Sequence, residues 1–139
     1  MIRYLVLSLA LVVPAAHADD RAIRKVLDDQ VAAWNKGDLD AFMAGYWNSP
    51  ELTFISGKDL TRGYQATLER YKKKYQAEGK EMGKLAFTDL VVTPLAADVA
   101  LVTGKWELTL SKEIVGGRYT LVVKKLPAGW RIVHDHTSG

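Results

Sequence analysis

Residues 85–136 read LAFTDLVVTPLAADVALVTGKWELTLSKEIVGGRYTLVVKKLPAGWRIVHDH, and the reading of this stretch decides the fold. Four runs rich in β-branched and aromatic residues, 85–93, 98–110, 118–126 and 130–136, have the composition of strands. The breaks between them carry turn chemistry: Pro94 with Ala96-Ala97-Asp98, then Gly116-Gly117, then Pro127-Ala128-Gly129. Connections this short join antiparallel neighbours, so the second half of the chain is expected to be a four-stranded meander.

Upstream the period changes from strand to helix. Asp19 and Asp20 can cap a helix whose apolar positions Ile23, Val26, Leu27, Val31 and Trp34 recur at three- and four-residue spacing. Asn35-Lys36-Gly37-Asp38 closes it, and Asp38 caps a second helix carrying Leu39, Phe42, Met43 and Tyr46 on one stripe. A brief strand over 51–56 ends at Gly57, and a third helix starts at Thr61 with Tyr64, Leu68, Tyr71 and Tyr75 aligned. The expected order is ααβαββββ in an α+β fold, with three helices on one face of a curved antiparallel sheet. Such a sheet wraps its helices as a half-open cone, and the mouth of a cone is a place for a small ligand.

The N-terminus predicts export. Arg3 precedes an almost wholly apolar run from Leu5 to Pro14, and Ala16-His17-Ala18 fits the small-x-small cleavage pattern. Residues 1–18 therefore read as a signal peptide and 19–139 as a single domain, periplasmic or secreted, with no membrane association after cleavage. The chain has 19 Lys and Arg against 16 Asp and Glu, and cleavage removes only Arg3 among them. An excess this small gives no footprint for nucleic acid. With no cysteine, stability rests on a packed core instead of disulfides.

Several segments carry a family resemblance: Ala33-Trp34-Asn35-Lys36-Gly37-Asp38-Leu39-Asp40, the Gly63-Tyr64…Tyr71…Tyr75 helix, Val102-Thr103-Gly104-Lys105-Trp106, and the ending Gly129-Trp130-Arg131-Ile132-Val133-His134-Asp135-His136-Thr137-Ser138. Together they resemble the nuclear transport factor 2-like superfamily in its SnoaL-like branch. The ending is also similar to the association domain of calcium/calmodulin-dependent protein kinase II. The resemblance implies a cone-shaped, cystatin-like α+β fold and a homodimer. It also implies a pocket of the kind used by isomerases, cyclases, dehydratases and non-catalytic binding or assembly domains, so fold alone does not settle function.

His134 and His136 are the candidate catalytic residues. On a regular strand an i, i+2 pair shares one face with Trp130 and Ile132, and turns Arg131, Val133 and Asp135 the other way. Two histidines can trade protons near neutral pH, hydrogen-bond a ligand or serve the strand end structurally. A metal site needs further ligands, and the one other histidine, His17, lies in the signal, so no metal or cofactor is expected. Asp135 then reads as a surface charge or a partner for Arg131 or Arg118. Steroid isomerase and cyclase relatives imply a basic aspartate in or just after the first strand, where this chain offers only Asp59, beyond Gly57. Most aromatics on the inward faces read as core. Phe54, Tyr64, Trp106 and Tyr119, with the two histidines, are the expected ligand-binding set. Lys72-Lys73-Lys74 fans around a helix and reads as a solvated face.

Two functions follow from this reading. One is an exported domain that binds a small apolar or partly polar ligand and performs isomerase-, cyclase- or dehydratase-type chemistry or none. The other is a non-catalytic homo-oligomerisation or protein-interaction module.

Overall fold

The computed structural model describes residues 18–139; segment 1–17, which carries the export reading, lies outside the described residues. Helix α1 (Asp20–Asn35) starts at Asp19, whose carboxylate accepts from the Ala22 N–H at 3.1 Å. Its buried stripe is Ile23, Leu27, Gln30, Ala33 and Trp34. Helix α2 (Leu39–Met43) is capped in the same way by Asp38, which accepts from the Ala41 N–H at 2.9 Å. Both caps satisfy backbone donors that a helix start otherwise leaves open.

Strands β1 (Thr53–Ser56) and β2 (Asp59–Arg62) form a hairpin around Gly57-Lys58, followed by α3 (Tyr64–Tyr75). Then come β3 (Lys84–Ala96), β4 (Val99–Thr109), β5 (Ile114–Leu126) and β6 (Gly129–Thr137). The six strands make one curved, unclosed sheet in the order β2-β1-β6-β5-β4-β3. All pairs are antiparallel except β1 with β6, which run parallel.

The α+β class and the helices-then-meander plan agree with the sequence reading. The order, however, is ααββαββββ. Strand β2 was not foreseen because three of its four residues are exposed and none of the four is buried, so it lacks the alternation that marks a half-buried strand. Helix α3 accordingly starts three residues later than expected, at Tyr64. The β4–β5 turn also moves: the Leu110 N–H donates to the Glu113 carbonyl at 2.9 Å, and Gly116-Gly117 lie inside β5. Those glycines answer to close approach instead of a turn, since a Cβ on Gly117 would strike the Ser138 carbonyl where the chain end crosses over.

Helix α1 packs on β3 and β6, while α2 packs on α1 and α3. Ile23, Met43, Leu52, Val102, Val123 and Ile132 are fully buried between the layers. Each such side chain contributes about 1.5–3 kcal/mol through burial. The register is irregular in three places, one of them between Pro94 and Ala96 of β3. In β3 the register jumps between Thr88 and Val91, with Asp89 at φ 54°, and in β6 it jumps opposite Val122 and Val123.

Candidate functional site

The irregularity in β6 decides which side chains face the helices. Val123 pairs with Ile132, but the next residue back along β5, Val122, pairs with His134, so Val133 is the extra residue of a bulge. A bulge reverses the alternation beyond it. Trp130 and Ile132 point inward before it, and Asp135 does so after it. The neighbouring strands confirm the phase: Asp135 lies in register with buried Phe54 of β1 and buried Leu121 of β5.

The shared face expected for Trp130, Ile132, His134 and His136 is therefore corrected. His136 is exposed. His134 is half-buried, with its Nδ1 2.6 Å from Thr53 Oγ1. Burial and the nearby His136 lower the His134 pKa below that of an ordinary imidazole. Asp135 is corrected as well: it is 4% exposed, not a surface charge. Arg131 instead donates to the carbonyls of Trp130 and Ala128, at 2.7 and 3.0 Å.

Asp135 is held by two hydroxyls. Tyr46 Oη donates to Oδ2 at 2.7 Å, and Thr137 Oγ1 donates to Oδ1 at 2.6 Å. Tyr46 is brought there by an isolated parallel bridge to Ile132, in which the Trp47 N–H donates to the Ile132 carbonyl and the Ile132 N–H to the Gly45 carbonyl, each at 2.9 Å. The Tyr71 hydroxyl lies 3.4 Å from that of Tyr46. Burial pushes the Asp135 carboxyl up to about 6, against the pull of the two hydrogen bonds and of His136. The same burial, together with the Asp135 charge, pushes both tyrosines well above the usual phenol range.

These groups line a cavity of about 100 Å³ between the helices and the sheet. Its walls are largely aromatic: Trp34 meets Phe42 edge-on at 5.1 Å and Tyr75 at 4.8 Å, and Tyr71 lies 5.5 Å from Phe54. Exposed Lys74 and Ser138 among the lining residues mark its mouth. Of the expected ligand-binding set, Phe54, Trp106 and Tyr119 line this cavity, while Tyr64, His134 and His136 do not. Asp59 is also absent from it; it lies on β2, with its carboxylate 3.7 Å from Arg70. Trp106 donates its indole N–H to the Ser138 carbonyl at 2.9 Å.

Tyr119 differs from the other polar groups of the wall. It is 5% exposed, and its hydroxyl has no hydrogen-bond partner. The hydroxyl lies over Gly104 of β4, where a Cβ would collide with it. Burial raises its pKa far above the phenol range. Gln30, buried in α1, lines the cavity and donates to the Phe42 carbonyl at 3.3 Å.

Sequence reasoning reads Asp135 as a surface charge and Lys74 as part of a solvated face, and does not single out Thr137, Gln30 or Arg70, all of which line the cavity. Gln30 carried a signal, as a polar residue at an inward position between Leu27 and Trp34. Among the described residues, no three His, Cys, Asp or Glu side chains gather as a metal set.

The model of the SnoaL-like domain family matches residues 23–139. A nuclear transport factor 2-like protein of unknown function from Shewanella oneidensis is 39% identical, with a TM-score of 0.80 over 85% of this chain and 97% of that one. A putative calcium/calmodulin-dependent protein kinase II association domain from Xanthomonas campestris is 20% identical, with a TM-score of 0.66 over 88% of each chain. A ketosteroid isomerase-like protein from Erwinia carotovora is 20% identical, with a TM-score of 0.63 over 84% of this chain and 92% of that one. No curated protein matches the chain. The match over residues 23–139 and the close structural relative agree with the architecture described above, and the chain belongs to the SnoaL-like domain family, on the nuclear transport factor 2-like, cystatin-like fold.

Proposed function

We propose that this protein binds a small, mainly apolar molecule in the cavity and transfers a proton on it with Asp135. The observation that carries the reading is a carboxyl group buried in an aromatic pocket with its pKa pushed up to about 6. A general base is most useful when its pKa lies near the working pH, and a positioned one contributes roughly 10²–10⁴-fold. Tyr46 and Thr137 each take one lone pair of the carboxylate and fix its orientation, leaving the others for a ligand.

The fitting reaction is proton abstraction next to a carbonyl group. The proton passes to Asp135, the electron pair of the broken C–H bond moves into the enolate, and the proton returns to the same or a conjugated carbon. The net change is an isomerisation, and it calls on no cofactor. Ketosteroid isomerase-like proteins share the fold. A four-ring ligand does not fit wholly inside the cavity, because about 100 Å³ is less than the ~150 Å³ that takes up benzene.

The N-terminal sequence supports placing this activity in the periplasm or outside the cell. A homodimer remains part of the proposal, supported by the sheet face opposite the helices, where half-buried Leu101 and Val122 pair across β4 and β5.

Exchange of the α-protons of pentan-2-one in D₂O, followed by proton NMR, tests the reaction. Exchange above the buffer rate with the natural protein, lost in Asp135→Asn, is the expected result. Equal rates with and without protein, or undiminished exchange in Asp135→Asn, would overturn it.

A further inference from the structure

Three charged side chains line the cavity: Asp135, Arg70 and Lys74. The two cations are one turn apart on α3 and therefore share a side of it. Lys74 is exposed, and its ammonium lies 5.4 Å from the Tyr75 ring centroid. The nearest carboxylate to Arg70 is that of Asp59, at 3.7 Å, beyond hydrogen-bond distance. The mouth thus presents two cations: Arg70, in a long ion pair with Asp59 that makes no hydrogen bond, and Lys74, with no salt bridge to a carboxylate of the described residues.

The inner wall presents the opposite need. Tyr119 Oη is a buried donor with no acceptor, in a structure whose other buried side-chain polar atoms among the described residues are partnered. An orphan of this kind calls for an explanation, and a bound molecule supplying an oxygen is one. Gly104 keeps the space the hydroxyl occupies, since any side chain there would displace it. Much of the remaining lining is apolar and aromatic, including Phe54, Phe87 and Leu121. The cavity volume, about 100 Å³, holds roughly four non-hydrogen atoms on the scale set by benzene, so a longer ligand leaves its charged end in the open mouth.

We infer that the ligand is a short-chain oxo acid, with its carboxylate at the mouth facing Arg70 and Lys74 and its ketone oxygen accepting from Tyr119. The inference rests on the ligand-binding reading above and narrows it to a chemical class. A monocarboxylate with an oxygen at the far end matches both unmet needs at once. A hydrocarbon matches neither, and a simple fatty acid or a simple ketone matches one. The cations also raise the local concentration of an anionic ligand at the mouth.

Three probes of similar length separate these requirements: 4-oxopentanoate carries both groups, pentanoate only the carboxylate and pentan-2-one only the ketone. Dissociation constants come from titrations at pH 7, with the Trp106 and Phe54 resonances reporting on the cavity. Expected is binding of 4-oxopentanoate at least tenfold tighter than either of the others. Lys74→Ala and Arg70→Ala should weaken it at least threefold while leaving pentan-2-one unchanged. Tyr119→Phe should weaken 4-oxopentanoate and pentan-2-one and leave pentanoate unchanged. Pentan-2-one binding as tightly as 4-oxopentanoate would overturn the oxo-acid class while leaving the pocket reading intact. Pentanoate binding as tightly as 4-oxopentanoate would overturn the role of Tyr119, and with it the oxo group. Absence of binding by all three would overturn the class and the pocket reading together.

Discussion

Tyr46 Oη lies 2.7 Å from Asp135 Oδ2, a contact made across 89 residues of sequence. It depends on two local features: the bridge that seats Tyr46 beside Ile132, and the bulge at Val133 that turns Asp135 inward. Without the bulge the carboxylate would face solvent and His134 would take its place inside.

Asp135 makes stability depend on pH. Its carboxyl sits near pH 6 in the folded chain against an ordinary value of 3.8, so between those values the folded state binds more protons than the unfolded one. Stability therefore falls as pH rises from about 4 to about 6, with a full loss of about 3 kcal/mol above that window. Asp135→Asn removes the titrating group. Urea unfolding at pH 4, 5, 6 and 7 should show the natural protein losing ground to this variant across the window, and parallel profiles would contradict the assignment.

His134 is placed to support the strand end, not the cavity. His134→Ala removes its bond to Thr53 and should cost about 0.5–1.5 kcal/mol. Ligand binding and α-proton exchange should not change. A tenfold loss of either, in a variant that still melts cooperatively, would return this histidine to the site.

The orphan hydroxyl of Tyr119 gives a prediction of unusual sign. Deleting an unpartnered buried polar atom removes its desolvation penalty, so Tyr119→Phe should be neutral or stabilising by about 1 kcal/mol in the empty protein. A clear destabilisation in the thermal midpoint would mean that the hydroxyl already has a partner, such as a tightly held water.

Gly104 and Tyr119 should be coupled. Gly104→Ala places a methyl group against the Tyr119 hydroxyl and ring and should cost about 1–3 kcal/mol. Combined with Tyr119→Leu, which vacates that space, the same change should cost at least 1 kcal/mol less in a double-mutant cycle. Additive effects would show that the two side chains do not meet.

The helices and the meander were legible because their apolar positions repeat at helical or strand period over long segments. Phe54 and Tyr119 could be placed inward by that alternation, and the closing strand could be recognised for its aromatic and apolar residues. Asp135 could not be placed, because a single bulged residue reverses the pattern and β6 carries no glycine or proline at Val133 to announce it. Strand β2 was hidden by its polarity. Arg70 and Lys74 looked like ordinary solvated positions on α3, and only the packing of that helix over the sheet brings them to a cavity. The site is thus assembled from features that sequence period either does not record or records with the wrong sign.

The most direct test is the titration of the Asp135 side-chain carboxyl carbon by ¹³C NMR, with and without 4-oxopentanoate. A midpoint near 6 in the free protein, displaced when the ligand is added, is the result this account predicts. A midpoint near 4 that the ligand leaves unmoved would contradict it.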